Sequence, residues 1–87
     1  MNDKDIETAK KTIGLASTTK NIYADKIKEI LIASNYPRED EDKLQVIAKA
    51  YTIPVTKLKT DNKKLGIICK KTFNISVIGL LKEEWYN

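Results

Sequence analysis

The sequence predicts a layered α/β domain, and three observations carry that expectation. The stretches "EILIASN" from Glu29, "IPVTKL" from Ile53 and "NISVIGLL" from Asn74 are short, apolar and rich in β-branched residues, as buried strands are. Between them lie two segments with apolar residues at helical spacing: Leu44, Ile47, Ala48 and Tyr51, then Leu65, Ile68 and Cys69. The resulting order of strand, helix, strand, helix, strand implies parallel pairing through right-handed crossovers.

From the start of the chain, Ile6, Ala9 and Ile13 fall at i, i+3 and i+7, so a first helix is expected over about Asp3 to Lys11. Gly14 breaks the pattern, and Ser17, Thr18 and Thr19 offer capping hydroxyls to a second helix that carries Ile22. The first of the three strands ends in the turn Asn35-Tyr36-Pro37. Pro37 and the acids Glu39, Asp40, Glu41 and Asp42 open the next helix as its dipole prefers. Asp61 or Asn62 caps the helix that follows the second strand.

At 87 residues, 41% hydrophobic and 32% charged, the chain reads as one domain, residues 1–87. Its longest apolar run, Ile75 to Leu81, is too short to cross a bilayer. The first dozen residues mix Asp, Glu and Lys, so no secretory signal is expected there. One cysteine allows no internal disulfide and fits a reducing compartment. The lack of histidine removes the usual catalytic base and the commonest metal ligand, so neither an enzyme nor a cofactor site is expected. The net charge of +4 is concentrated: from Lys57 to Lys71, six lysines face the single acid Asp61, a local net of +5. Such a patch favours a polyanionic partner.

Several features have plain structural readings. Cys69 reads as a small core residue, the acidic run as a solvated helix start, and Asn74-Ile75-Ser76 as a chance match to the glycosylation pattern inside a strand. Trp85-Tyr86 either covers a core edge or contacts a partner. The seam Lys70-Lys71-Thr72-Phe73 can be a helix end whose lysines complement the dipole. Topology offers another reading. Connections at one end of such a sheet converge, and the Gly14–Lys20 turn, the Asn35–Arg38 turn and this seam would share a surface there. Together they supply a close-approach glycine, hydroxyls at a helix N-terminus, an amide, cations and an aromatic. That mixture suits RNA better than a small metabolite.

The chain also resembles a known family. "IGLASTTKNI" at 13–22, "ILIASNYP" at 30–37, "IPV" at 53–55 and "LGIICKKTFNISVIGLL" at 65–81 follow, in order and in one register, the pattern of archaeal and eukaryotic RNA-binding proteins of the L-seven-Ae superfamily, above all its ribosomal L-thirty-e branch. The resemblance implies a three-layer α/β/α sandwich with a small, mostly parallel mixed sheet. It implies a non-catalytic constituent of the large ribosomal subunit that binds ribosomal RNA at a kink-turn, beside neighbouring ribosomal proteins in the cytoplasm, with no cofactor, small-molecule substrate or membrane. The alternatives are a kink-turn protein of a non-ribosomal guide-RNA or RNA-processing particle, and a protein-interaction adaptor on the same fold.

By position, the resemblance makes Gly14 the glycine that opens the RNA-contacting turn and Lys20 the basic residue of the helix it starts. Asn35 becomes the asparagine after the central strand, and Lys71 and Phe73 the lysine and aromatic of the recognition loop. Ser17, Thr18, Arg38, Lys70 and Thr72 complete the expected RNA-binding set. Three positions depart from the family pattern: Ala16 stands where relatives carry a lysine or asparagine, Lys70 replaces a glycine, and Thr72 replaces a proline.

Overall fold

A computed structural model describes residues 2–82 of the chain, and Trp85-Tyr86 lies outside them. The elements are α1 (Asp3–Thr8), β1 (Lys11–Ile13), α2 (Leu15–Tyr23), β2 (Ile27–Ile32), α3 (Arg38–Ala50), β3 (Val55–Lys57), α4 (Asn62–Ile68) and β4 (Val77–Leu81). The four strands form one sheet in the order β1-β4-β2-β3.

Alternation along the central strands builds a core on each face. On one side Ile30 and Ile32 of β2 and Val77 of β4 pack with Ile22 of α2 and Leu44 and Ala48 of α3. On the other, Leu31 and Ala33 meet Ile78 and Leu80, covered by Ile6 of α1, Leu65 of α4 and Cys69 just after it. Ile30, Leu31 and Ile32 are each at most 1% exposed. Each such side chain contributes about 1.5–3 kcal/mol through burial, so β2 alone anchors both layers.

The α/β/α layering and the mixed sheet match expectation, but the predominance of parallel pairing does not. Only β2 and β3 run parallel, with Ile30 opposite Val55. β4 runs antiparallel to both β2 and β1. The reason lies in the connection after α4. A crossover helix carries the chain down the sheet so that the next strand can climb beside the last. Here the segment after α4 turns back along the helix, and the Ile75 N–H reaches the Asn62 carbonyl in the first turn at 3.0 Å. β4 therefore enters at the end where β3 left.

The first helix is also shorter than its spacing suggests. It stops at Thr8, closed at its start by a reciprocal cap between Asn2 and Asp5. Lys11–Ile13 instead pair with β4, Lys11 opposite Leu80 and Ile13 opposite Ile78. Ala9 and Ile13 do face the core that Ile6 enters, but Ile13 reaches it from a strand. Asn74 and Ser76 precede β4 rather than opening it.

Helices α2, α3 and α4 end alike. The N–H groups of Asp25, Thr52 and Lys70 bond the carbonyls of Ile22, Lys49 and Ile67, at 2.9, 3.1 and 3.0 Å. Those of Lys26, Ile53 and Lys71 bond Asn21, Ala48 and Gly66, at 3.0, 2.8 and 2.9 Å. This pairing needs a left-handed residue, normally glycine. Asp25, Thr52 and Lys70 take it with φ of 58°, 57° and 58°.

Thr52, being β-branched, carries the largest penalty. Left-handed strain of roughly 1–2 kcal/mol, offset in part by about 0.5–1 kcal/mol for the entropy of glycine in the unfolded chain, leaves a net gain for Thr52→Gly. A thermal melt of that variant is expected to shift upward by roughly 2–8 °C. A Tm at or below the parent's would show that the turn stores no strain.

Candidate nucleic-acid interface

β1, β2 and β3 all finish at one pole of the sheet, and α2, α3 and α4 all start there. The connections at this pole are stapled to one another. The Gly14 N–H donates to the Val77 carbonyl at 2.9 Å, the Ala33 N–H to Ser76 at 2.9 Å and the Ser34 N–H to Thr60 at 2.9 Å. Asn35 donates from Nδ2 to Asn62 Oδ1 at 2.9 Å and accepts the Asn62 N–H on its own Oδ1 at 3.0 Å. That N–H can only donate, which fixes the orientation of the Asn35 amide. The Gly14 turn and the Asn35 turn meet here as expected; of the third segment only Ile75 to Val77, after the Lys70–Phe73 seam, reach this pole, while the seam itself runs back along α4.

Gly14 has φ 93° and ψ 159°, a region that glycine alone occupies without strain. A Cβ there would meet no atom within 4 Å, so the requirement is conformational rather than steric. Its N–H is taken by Val77 and its carbonyl accepts from Thr18 N at 3.1 Å. What Gly14 presents outward is bare backbone, not a donor. The donors come next. No side chain caps α2, so the N–H groups of Leu15, Ala16 and Ser17 in its first turn point out of the helix with no partner among the described residues. The expected hydroxyl cap is thereby corrected: Ser17, Thr18 and Thr19 lie inside the helix. α3 and α4 differ, since Glu39, Asp40 and Glu41 sit in the first turn of one, and Asp61 accepts from Lys64 N at 2.8 Å in the other. The positive end of α2 is the one left open to an anion.

Thr18 must be withdrawn from the expected contact set. It is fully buried, and its hydroxyl pairs with that of Thr12 at 2.9 Å, tying α2 to β1. Lys70 is drawn elsewhere as well. It lies one helix length, about 12 Å, beyond Asn62, and its Nζ pairs with Glu7 of α1 at 3.2 Å. Lys20 is exposed but sits in the last turn of α2, away from Gly14. Ser17, Asn35, Arg38, Lys71, Thr72 and Phe73 are exposed.

The Lys71–Phe73 segment returns along α4 because α4 has no side chain at Gly66. A Cβ there would collide with the Phe73 carbonyl oxygen. With its backbone held in this way, Phe73 turns its ring outward and is 56% exposed. A buried aromatic would have meant a core anchor; this one is available to stack.

Sequence reasoning missed three contributors. Asn62 was read only as a possible cap, because its partner is 27 positions away. The uncapped donors of α2 carry no residue signature. Lys59, Lys63 and Lys64 were counted in the basic patch but not placed, and all three are exposed around Asn62. Among the described residues no three His, Cys, Asp or Glu side chains are grouped to hold a metal ion, and no helix is long and apolar enough to cross a membrane. Cys69 is in the core as expected. Burial pushes its thiol pKa up, and the pull of Lys11 and Lys71 in the other direction is smaller.

Two outcomes follow from these environments. Gly14→Ala should lose about 1–3 kcal/mol of stability in denaturant unfolding, because no side chain suits that backbone; an unchanged midpoint would mean that the turn relaxes freely. Cys69 should react with a thiol reagent at least roughly tenfold more slowly in the native protein than in denaturant, and equal rates would contradict a buried, protonated thiol.

The sequence pattern of the ribosomal protein L7Ae/L30e/S12e/Gadd45 family matches residues 3–86. The large ribosomal subunit protein eL30 of Sulfurisphaera tokodaii is 33% identical over 76 residues, which cover 87% of this chain and 72% of that protein. The eL30 protein of Methanocaldococcus jannaschii is 30% identical over 82 residues, 94% of this chain and 74% of its own. Among solved structures, a Giardia lamblia 15.5kD RNA binding protein aligns with a TM-score of 0.76 at 19% identity, over 95% of this chain and 70% of that one. A Bacillus halodurans protein of unknown function aligns with the same TM-score, 0.76, at 20% identity, over 86% of this chain and 74% of that one. At these identities the structural likeness establishes the fold.

Proposed function

The chain belongs to the ribosomal protein L7Ae/L30e/S12e/Gadd45 family, and on that premise we propose that it is a ribosomal protein of the eL30 type that binds ribosomal RNA at a kink-turn in the large subunit. The observation that carries this reading is the stapled pole, with open donors at α2 and uncommitted cations around Asn62, next to an outward aromatic on the segment that returns along α4. Each part has a task there. The first-turn N–H groups of α2 and the Gly14 backbone receive a phosphate at close range. Lys71, Lys63 and Lys64 add the sequence-independent attraction of cations for the RNA backbone. Asn35 still has one N–H and one lone pair for a base edge after its bonds to Asn62. Phe73 stacks on a base or sugar. Nothing in this set requires proton transfer or a bound cofactor; the protein acts by holding an RNA bend.

Co-sedimentation of the protein with large ribosomal subunits through a high-salt wash tests the ribosomal assignment. Recovery instead on a smaller ribonucleoprotein would favour a kink-turn protein of another particle. Phe73→Ala tests the surface. Loss of one stacked base is worth roughly 1–3 kcal/mol, so binding to a kink-turn RNA should weaken by about five- to a hundredfold. The melting temperature should stay close to the parent's, because the ring is already outside the core. A collapsed melt, or unchanged affinity, would refute this role. Lys71→Ala should lower the log–log salt slope of binding by about one. Lys70→Ala should change it little, since that side chain leans toward Glu7.

A further inference from the structure

We propose that Asn62 is a positioning residue for this surface, one that sets the RNA-facing geometry of Asn35 without touching RNA itself; the inference rests on the RNA-binding reading above. Asn62 opens α4 and is the junction of three connections. Its N–H is accepted by Asn35 Oδ1 at 3.0 Å, its Oδ1 accepts Asn35 Nδ2 at 2.9 Å, and its carbonyl accepts the Ile75 N–H at 3.0 Å. One residue thus binds the loop after β2 to the start of α4, and the start of α4 to the segment that returns from Phe73. Only one of these three bonds depends on the Asn62 side chain, and it is the one that holds the amide of Asn35.

That bond uses the one acceptor that the Asn35 NH₂ group has among the described residues. With Oδ1 and one N–H engaged, the second N–H is fixed in the amide plane and aimed away from α4. Without Asn62 Oδ1 the amide stays linked only through Oδ1 and is free to swing about that bond, so a bound base would have to order it first. The cap of α4 is separate: Asp61 bonds Lys64 N whether or not Asn62 has a side chain. Asn62→Ala therefore removes the positioning contact and leaves both the helix start and the backbone bond to Ile75 in place.

The test is a double-mutant cycle on the full chain with a kink-turn RNA hairpin as the probe, reading affinity, salt slope and Tm together. Asn62→Ala is expected to weaken binding roughly three- to tenfold, the share of one hydrogen bond. The log–log salt slope should not change, because no phosphate contact is lost. Asn35→Ala should weaken binding at least as much, and the double variant no further than Asn35→Ala alone. NMR of the parent should show the two Asn35 side-chain NH₂ protons as well-separated resonances that draw together in Asn62→Ala. Parent-level affinity in Asn62→Ala would overturn the inference, as would a double variant weaker than Asn35→Ala by the full Asn62 factor, or a salt slope reduced by about one. A parent chain that does not bind the hairpin overturns the RNA reading itself, and this inference with it.

Discussion

β4 enters the sheet between β1 and β2 at the pole where β3 ends, and the rest of the molecule depends on that entry. Paired with β2 from Val77 to Leu81 and with β1 from Ile78 to Leu80, it is the strand through which both cores and both neighbouring strands are joined. Its direction is set one step earlier, where Gly66 lets the Phe73 backbone lie against α4 and the chain double back to Asn62. A bulkier residue at 66 would push the returning segment off the helix. Phe73 would then lose its backing, and Ser76 and Val77 would lose their bonds to Ala33 and Gly14. Fold and surface share this one contact.

The two are stabilised by different forces. The core is aliphatic and tightly buried, and within it the Thr18 hydroxyl is matched by that of Thr12. The surface has three ion pairs among the described residues, Lys57–Glu41, Lys70–Glu7 and Lys82–Asp25, and all involve exposed groups. Pairs of that kind contribute about 0–1 kcal/mol each. The loop pole is held instead by hydrogen bonds between connections, which cost little surface charge. Lys59, Lys63 and Lys64 form no ion pair there among the described residues, so their charge is available to a polyanion.

Much of this was legible in the residues. Two of the four strands lay in the apolar runs 29–35 and 53–58, and a third in 74–81; α3 and α4 followed from their spacing. Convergence of the Gly14 and Asn35 turns also followed from element order. What was not legible depends on contacts between distant positions. β1 is three residues long and owes its existence to β4, some 67 positions on (Thr12 opposite Gly79), so a local window reads it as the tail of a helix. The antiparallel entry of β4 depends on the short reach of α4 and on Gly66. The burial of Thr18, the engagement of Lys70 by Glu7 and the partnership of Asn35 with Asn62 are all tertiary facts about polar residues, for which hydrophobic periodicity holds no signal. The left-handed conformation of the helix ends carried no such signal for a related reason: Asp25, Thr52 and Lys70 stand where a reader looks for glycine.

Those three helix ends share more than a conformation. α2, α3 and α4 all begin at the stapled pole, so their strained left-handed residues lie away from it. The chain thus has an uneven distribution of local stability. Opening fluctuations are expected to start where strain is released, in the last helical turns, and to die out toward the pole where Gly14, Asn35 and Asn62 are tied. Amide protons near Thr52 then exchange with solvent through small, frequent openings, while those at Ala33 and Ile75 exchange only when the domain unfolds as a whole. Local opening is thus expected mainly away from the stapled pole, and the surface proposed to meet RNA keeps its shape.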